Sequence, residues 1–292
     1  MYGYCVVGNV KGSPIFSCPI DKLRQLWHNE PELISREDLG MELSLKMFLI
    51  VCPMLFLAGF VDSIAGGGGL ISLPAYVFAE LPMHLAIGTN KLSSACGTSL
   101  ATARFIRHRL INLRLVIPGI IAAILGSAAG SSLSVMASER LIRNILFIAL
   151  PVAAFFVLNK NLFPEEGSEA IANRRSITVC TLASLVIGLY DGFYGPGTGT
   201  FLIIAFTVFA HFSVGAANAQ AKAINLTTNI TSLVVFLLNG TVLLPLGLAG
   251  AACNMLGNYL GAGLVMSKGS RIVRPLILLV LALLLVKLIT EG

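Results

Sequence analysis

Of the 292 residues, 56% are hydrophobic and 12% charged, with a formal net charge of +6 and a mean hydropathy of +0.86. Soluble domains carry about 25% charged residues; here eleven of the 20 basic and 14 acidic residues fall in the first 46 positions, leaving 23 for the other 246. So few charges cannot coat a globule in water but suit helices whose outer face meets lipid, which excludes a soluble enzyme, a secreted disulfide scaffold and a disordered chain.

In chain order, residues 1–42 form a polar leader of mixed charge containing Pro14, Pro19 and Pro31. It holds no apolar run long enough for a signal peptide. A short helix is expected around 21–29. The stretch MELSLKMFLIVCPMLFLAG then reads as the start of a membrane protein, so translation is expected to begin at Met41 or Met47. Apolar spans follow at roughly 44–61, 68–80, 84–106, 115–136, 144–158, 176–190, 199–211, 216–239, 242–266 and 272–289. A straight crossing needs about 20 residues; 68–80 and 199–211 fall short, and each follows a glycine-rich break. The expected fold is an all-α polytopic membrane protein of 8–10 segments, with broken or re-entrant helices at the glycine motifs. Its parts are a membrane repeat at 43–158, a cytoplasmic linker at 159–175 and a second membrane repeat at 176–292.

The repeat is explicit. Gly59, Asp62, Gly66 and Gly68 recur as Gly188, Asp191, Gly195 and Gly197, each 129 positions later. Further on the offset is 131: Lys91 becomes Lys222, Gly126 and Gly130 become Gly257 and Gly261, and Arg140 and Arg143 become Arg271 and Arg274. Short, glycine-interrupted segments at matching places in two halves mark the binding site of a two-repeat transporter. Charge suggests orientation, because cytoplasmic loops collect Lys and Arg. The 104–114 loop carries Arg104, Arg107, Arg109 and Arg114, whereas its counterpart 239–244 carries no charge. Lys160, Arg174 and Arg175 fit a linker on the cytoplasmic side. The alternation predicts inverted repeats of five segments each.

Inside the spans, Asp62 and Lys91 serve the first half and Asp191 and Lys222 the second. A charge at the bilayer centre costs about 3 kcal/mol or more, so it faces a cavity or a partner. One reading makes these residues structural Asp–Lys pairs, Lys91 with Asp62 being the first candidate. The other makes Lys91 and Lys222 anion-binding groups, with Asp62 or Asp191 as the proton-coupling carboxylate. The runs Gly66-Gly67-Gly68-Gly69 and Gly195-Pro196-Gly197-Thr198-Gly199 open the backbone ahead of a half-helix, which favours an anion; close helix packing is the plain alternative. A polar stripe accompanies each lysine: Thr89, Asn90, Ser93 and Ser94, then Gln220, Asn225, Thr228 and Asn229. Lys222, Asn225 and Asn229 share one helical face. Tyr190 and Tyr194 flank Asp191. Gly126/Gly130 and Gly257/Gly261 are GxxxG pairs, expected to bring together helices of this chain, with a homodimer contact as the alternative.

Other chemistry finds no support. Cys52, Cys96, Cys180 and Cys253 lie singly in apolar segments, and His28, His84, His108 and His211 are scattered, so neither a metal site nor another cofactor is expected. The basic residues sit in short membrane loops rather than in a nucleic-acid surface. No Gly-Lys-Ser/Thr follows either glycine run, so neither is a phosphate loop.

The segments FVDSIAGGGGLISLPA, AIGTNKLSS, YDGFYGPGTGTF and AQAKAINLTTN occur in that order. From about Met41 to the C-terminus the chain resembles the TauE/SafE family of sulfite exporters, also called 4-toluene sulfonate uptake permeases, and above all its YfcA-like bacterial inner-membrane members. The resemblance implies transport of a small anion: sulfite, a sulfonate or another sulfur-containing organic acid. It singles out Asp62, Gly66, Gly68, Asn90, Lys91, Asp191, Gly195, Gly197, Lys222 and Asn225. The leading expectation is a secondary anion transporter coupled to protons. A passive anion channel shares the same features; an enzyme would need a metal set or a nucleophile–base pair within the spans, and a scaffold would not need matched charges in both halves.

Overall fold

The chain divides into two units, Met1–Gly40 and Met41–Gly292. The computed structural model describes residues 44–138, 141, 169–268 and 275, all in the second unit. The expected leader helix, the 144–158 span and, apart from residue 275, the 272–289 span lie outside the described residues.

Among the described residues there are eight α-helices and no strand. The first half contributes α1 (Leu45–Ala65), α2 (Gly69–Phe78), α3 (Met83–Arg107) and α4 (Leu113–Met136). The second contributes α5 (Arg174–Phe193), α6 (Thr198–Val208), α7 (Val214–Leu238) and α8 (Leu244–Lys268). Side-chain caps start several of them. Ser44 accepts from the Lys46 N–H, Asn112 from Arg114, Asn173 from Ser176 and Ser213 from Ala216, each satisfying a donor that the first turn leaves free. Four helices, α1, α4, α5 and α7, are long and apolar enough to cross a membrane.

The 68–80 and 199–211 spans are half-helices of 10 and 11 residues, about 15 Å long at 1.5 Å per residue. The break before α2 has a local cause. Gly66 adopts a left-handed conformation (φ 75°) and returns its N–H to the Asp62 carbonyl, an ending for which a residue without Cβ is favoured. In the second half Gly195 (φ 98°) takes the same place.

Polarity is reversed relative to a soluble protein. Leu49 and Leu57 of α1, Ile121 and Leu125 of α4, Val186 of α5 and Leu256 and Leu260 of α8 are exposed. Asp62, Lys91, Ser127, Asp191, Asn218, Lys222 and Asn258 are buried. Without water outside, burying carbon against carbon gives little preference, and small residues and hydrogen bonds fix the packing. Both GxxxG pairs act this way within the chain. Gly126 and Gly130 of α4 lie against the backbone at Leu185 and Leu189 of α5; Gly257 and Gly261 of α8 lie against Phe56 and Phe60 of α1. A leucine at Gly126 should separate α4 from α5 and lower the melting temperature in detergent markedly, because the neighbouring atom is a backbone carbonyl that cannot step aside.

The contacts between halves come in exchanged pairs: α1 packs on α8 and α4 on α5, α3 on α8 and α7 on α4. Helices α3 and α7, the counterparts of each other, meet in the middle. Gly88 near the start of α3 touches Thr241 beyond the end of α7, and Leu110 beyond the end of α3 is bonded by Gln220 near the start of α7. These two helices run antiparallel.

Candidate functional site

The two helix breaks meet back to back. A Cβ on Gly199 would lie 2.5 Å from the Gly66 Cα, and one on Gly69 3.0 Å from the Pro196 Cα. Thr200 Oγ1 donates to the Ala65 carbonyl (2.7 Å), and Asn218 of α7 donates to the Ser63 and Ile64 carbonyls (3.2 and 3.1 Å). These last bonds satisfy carbonyls that the end of α1 would leave bare in an apolar interior.

Beside this crossing lie two buried ion pairs. Lys91 Nζ sits 2.8 Å from Asp191 Oδ2 and donates to Asn229 Oδ1 (3.3 Å). Lys222 Nζ sits 2.9 Å from Asp62 Oδ2 and donates to the Asp62 carbonyl (2.5 Å). The sequence-based expectation of a Lys91–Asp62 pair within one half is therefore corrected: each lysine pairs with the aspartate of the other half. The reason is geometric. The antiparallel meeting of α3 and α7 turns each lysine toward the break of the opposite repeat.

The pairs are not identical. Thr198 Oγ1 donates to Asp191 Oδ1 (2.6 Å), whereas its counterpart in the first half is Gly69, which has no hydroxyl. The Asp62 side chain is 12% exposed and that of Asp191 2%. Asp191 is locked and Asp62 is the looser carboxylate. Lys222 also faces the carbonyl end of α1, where the helix dipole favours a cation.

The remaining candidates surround these pairs. Gly195 lies under the Lys91 ammonium, since a Cβ there would be 2.9 Å from Nζ; Gly68 packs on the Asp62 side chain. Gly197 (φ 84°) starts α6. Asn90 and Asn225 are buried, and each bonds along its own helix, Asn90 to Ser94 (3.4 Å) and Asn225 to Asn229 (3.5 Å). Tyr190 donates to the Pro196 carbonyl (2.7 Å) and so braces the second break. Thr198 and Asn218 were not singled out as site residues by sequence. Each is a short polar side chain, and only the fold shows what it holds.

Comparison with known proteins identifies the family. The family model described as "Sulfite exporter TauE/SafE" matches residues 51–288. A "Probable membrane transporter protein" of Haemophilus influenzae is 34% identical over 252 residues, 86% of this chain and 98% of the relative. The "Probable membrane transporter protein YfcA" of Escherichia coli K12 is 36% identical over 237 residues, 81% of this chain and 87% of the relative. "Probable membrane transporter protein YunE" of Bacillus subtilis is 22% identical over 272 residues. With its lipid-facing helices and polar interior, this is a multi-pass inner-membrane transport protein, and the chain belongs to the TauE/SafE family.

Proposed function

We propose that the protein is a secondary transporter of a small anion, with sulfite, a sulfonate or another sulfur-containing organic acid as the substrate class, and that transport is coupled to protons. The observation that carries this reading is the pair of Asp–Lys bridges exchanged between repeats beside the crossed helix breaks. Each bridge is neutral, so an anion can use Lys91 or Lys222 only if the aspartate lets go. A proton on the aspartate frees the lysine without leaving a bare carboxylate in a low-dielectric interior, which ties one proton to one anion charge. Asp62, less buried and lacking a hydroxyl partner like Thr198, is the first candidate for that proton, and Asp191 the second. Asn90, Asn225 and the backbone at Gly66, Gly68, Gly195 and Gly197 would complete the anion's surroundings.

Proteoliposome uptake of labelled sulfite, sulfonates and related anions, with and without an imposed pH gradient, tests the proposal. Concentrative uptake driven by the gradient is expected. Flux that only equilibrates would instead indicate a passive channel, and no flux of any anion would overturn the substrate class.

The same reading includes inversion of the repeats. Its support is the direction of the helices: contacts of Gly59, Gly97, Gly250 and Gly257 run α1, α3 and α8 alongside one another, and those of Gly119, Gly126 and Gly192 do the same for α4 and α5. The charge-free 239–244 loop is then external and the 104–114 loop cytoplasmic. Single cysteines in 239–244 should react with an impermeant reagent from outside, and those near Arg107 or Arg174 only from inside. Labelling of both loops from one side would refute the inversion.

A further inference from the structure

The two repeats close differently at their ends. Gly88 and Ala219 are counterparts, as are Thr89 and Gln220, Thr241 and Leu110, and Leu243 and Asn112, all at the offset of 131. At one end the Leu243 N–H is held by Thr89 Oγ1 (2.9 Å); at the other the Asn112 N–H is held by Gln220 Oε1 (2.9 Å). The latch is the same and its length is not. Threonine is short, and Gly88 has no Cβ, so the Thr241 carbonyl rests on the backbone of α3 where a Cβ would collide with it. Glutamine is longer by two carbons and also holds the Leu110 carbonyl through Nε2 (2.9 Å), and Ala219 carries the Cβ that Gly88 lacks. The loop stands off, leaving a pocket of about 740 Å³ lined by Arg109, Asn112, Arg114, Glu169, Gly215 and Ala219 among others. Along α3 the two latches are about 30 Å apart at 1.5 Å per residue.

Arg109 adds an independent sign. It has a φ of 55° where its counterpart Gly240 has 67°. The turn after each helix demands the left-handed region, glycine supplies it without strain in one repeat, and the other keeps an arginine there at a cost of about 1 kcal/mol or more. What the arginine brings is its charge, and it brings it to this pocket.

We propose that the pocket between the 109–114 loop and the start of α7 is a standing anion vestibule, propped open by Gln220 and Ala219 and charged by Arg109 and Arg114, while the Gly88–Thr89 end is a tight closure. Its floor at Ala219 lies one helical turn from Lys222, so an anion gathered there stands next to the Lys222–Asp62 pair. The inference rests on the proposed anion transport for its purpose, but its geometry and charge are measurable without transport.

The test uses the full-length protein in detergent with its six cysteines replaced and a single Gly215→Cys, a position where an added Cβ meets no neighbouring atom within 4 Å. Its reaction rates with a sulfonate-bearing and a trimethylammonium-bearing methanethiosulfonate are compared, each normalised to a free thiol. The anionic reagent is expected to react about 10-fold faster or more, within the range that charge-lined clefts give, and Arg109→Gln with Arg114→Gln should bring the ratio toward one. Equal rates in the unaltered vestibule overturn the anion assignment. Exchanging Ala219→Gly with Gln220→Thr should close the pocket and slow both reagents about 10-fold; the mirror exchange, Gly88→Ala with Thr89→Gln, should make a cysteine at Thr241 newly reactive. If folded variants of either exchange leave the rates unchanged, the prop is overturned. Failure of proteoliposome anion uptake with the reagent selectivity intact would remove the transport reading and leave the vestibule standing.

Discussion

Lys91→Gln should leave Asp191 as an uncompensated charge with 2% of its side chain exposed, and the expected result is a loss of about 3–5 kcal/mol of stability, read as a large fall in melting temperature and in the monodisperse fraction extracted by detergent. Rescue identifies the partner. Asp191→Asn in the same chain should restore folding, because an amide–amide hydrogen bond can replace the bridge, whereas Asp62→Asn should not help. The mirror set, Lys222→Gln with Asp62→Asn, should behave the same way with a smaller initial loss, since the Asp62 carboxylate is 12% exposed. Transport separates the two possible uses of the lysines. If Lys91 supplies the substrate's counter-charge, the folded double variant should carry less than about a tenth of normal flux, the loss of a charge-assisted contact being worth about 1.5–3 kcal/mol. Full transport in both double variants would make both lysines structural only.

Gly199→Ala should be as damaging as either charge substitution although it adds one methyl group. The new Cβ would sit 2.5 Å from the Gly66 Cα, and that atom belongs to a backbone turn fixed by the Gly66 N–H to Asp62 carbonyl bond. Overpacking of flexible side chains costs about 1–3 kcal/mol; backbone against backbone has no rotamer to change, so about 3 kcal/mol or more is expected, with separation of the two breaks and loss of the Thr200–Ala65 bond. Gly215→Ala is the control. It is also helical but has nothing within 4 Å, and should change stability by less than about 1 kcal/mol in the favourable direction. Thermal melts of the three proteins in one detergent check both statements, and a Gly199→Ala protein as stable as the parent would mean that the breaks do not touch.

Most of the architecture was legible in the residues because the membrane makes local composition decisive. An apolar run of the right length must be a helix when its backbone groups have no water to turn to, so α1, α4, α5 and α7 follow from hydropathy and α2 and α6 from the glycines that precede them. The duplication was legible too: the offset of 131 that relates Lys91 to Lys222 reappears as left-handed backbone at Glu80 and His211 and at Arg109 and Gly240.

What the residues alone determined, then, was a set of helices, their breaks, their twofold repetition and the few charges that must find partners. Which partner each charge finds was decided only in three dimensions. Within one helix, spacing relates positions three or four apart, but Lys91 and Asp191 are 100 positions apart and Lys222 and Asp62 160. Any pairing of two lysines with two aspartates would satisfy the same electrostatics, and the antiparallel contact of α3 with α7 selects the exchanged one. The unequal ends have the same origin. Gly88 against Ala219 and Thr89 against Gln220 are two modest differences between the repeats, and only the loop packed on each, resting on backbone at one end and held off by a side chain at the other, turns them into a closure and a pocket.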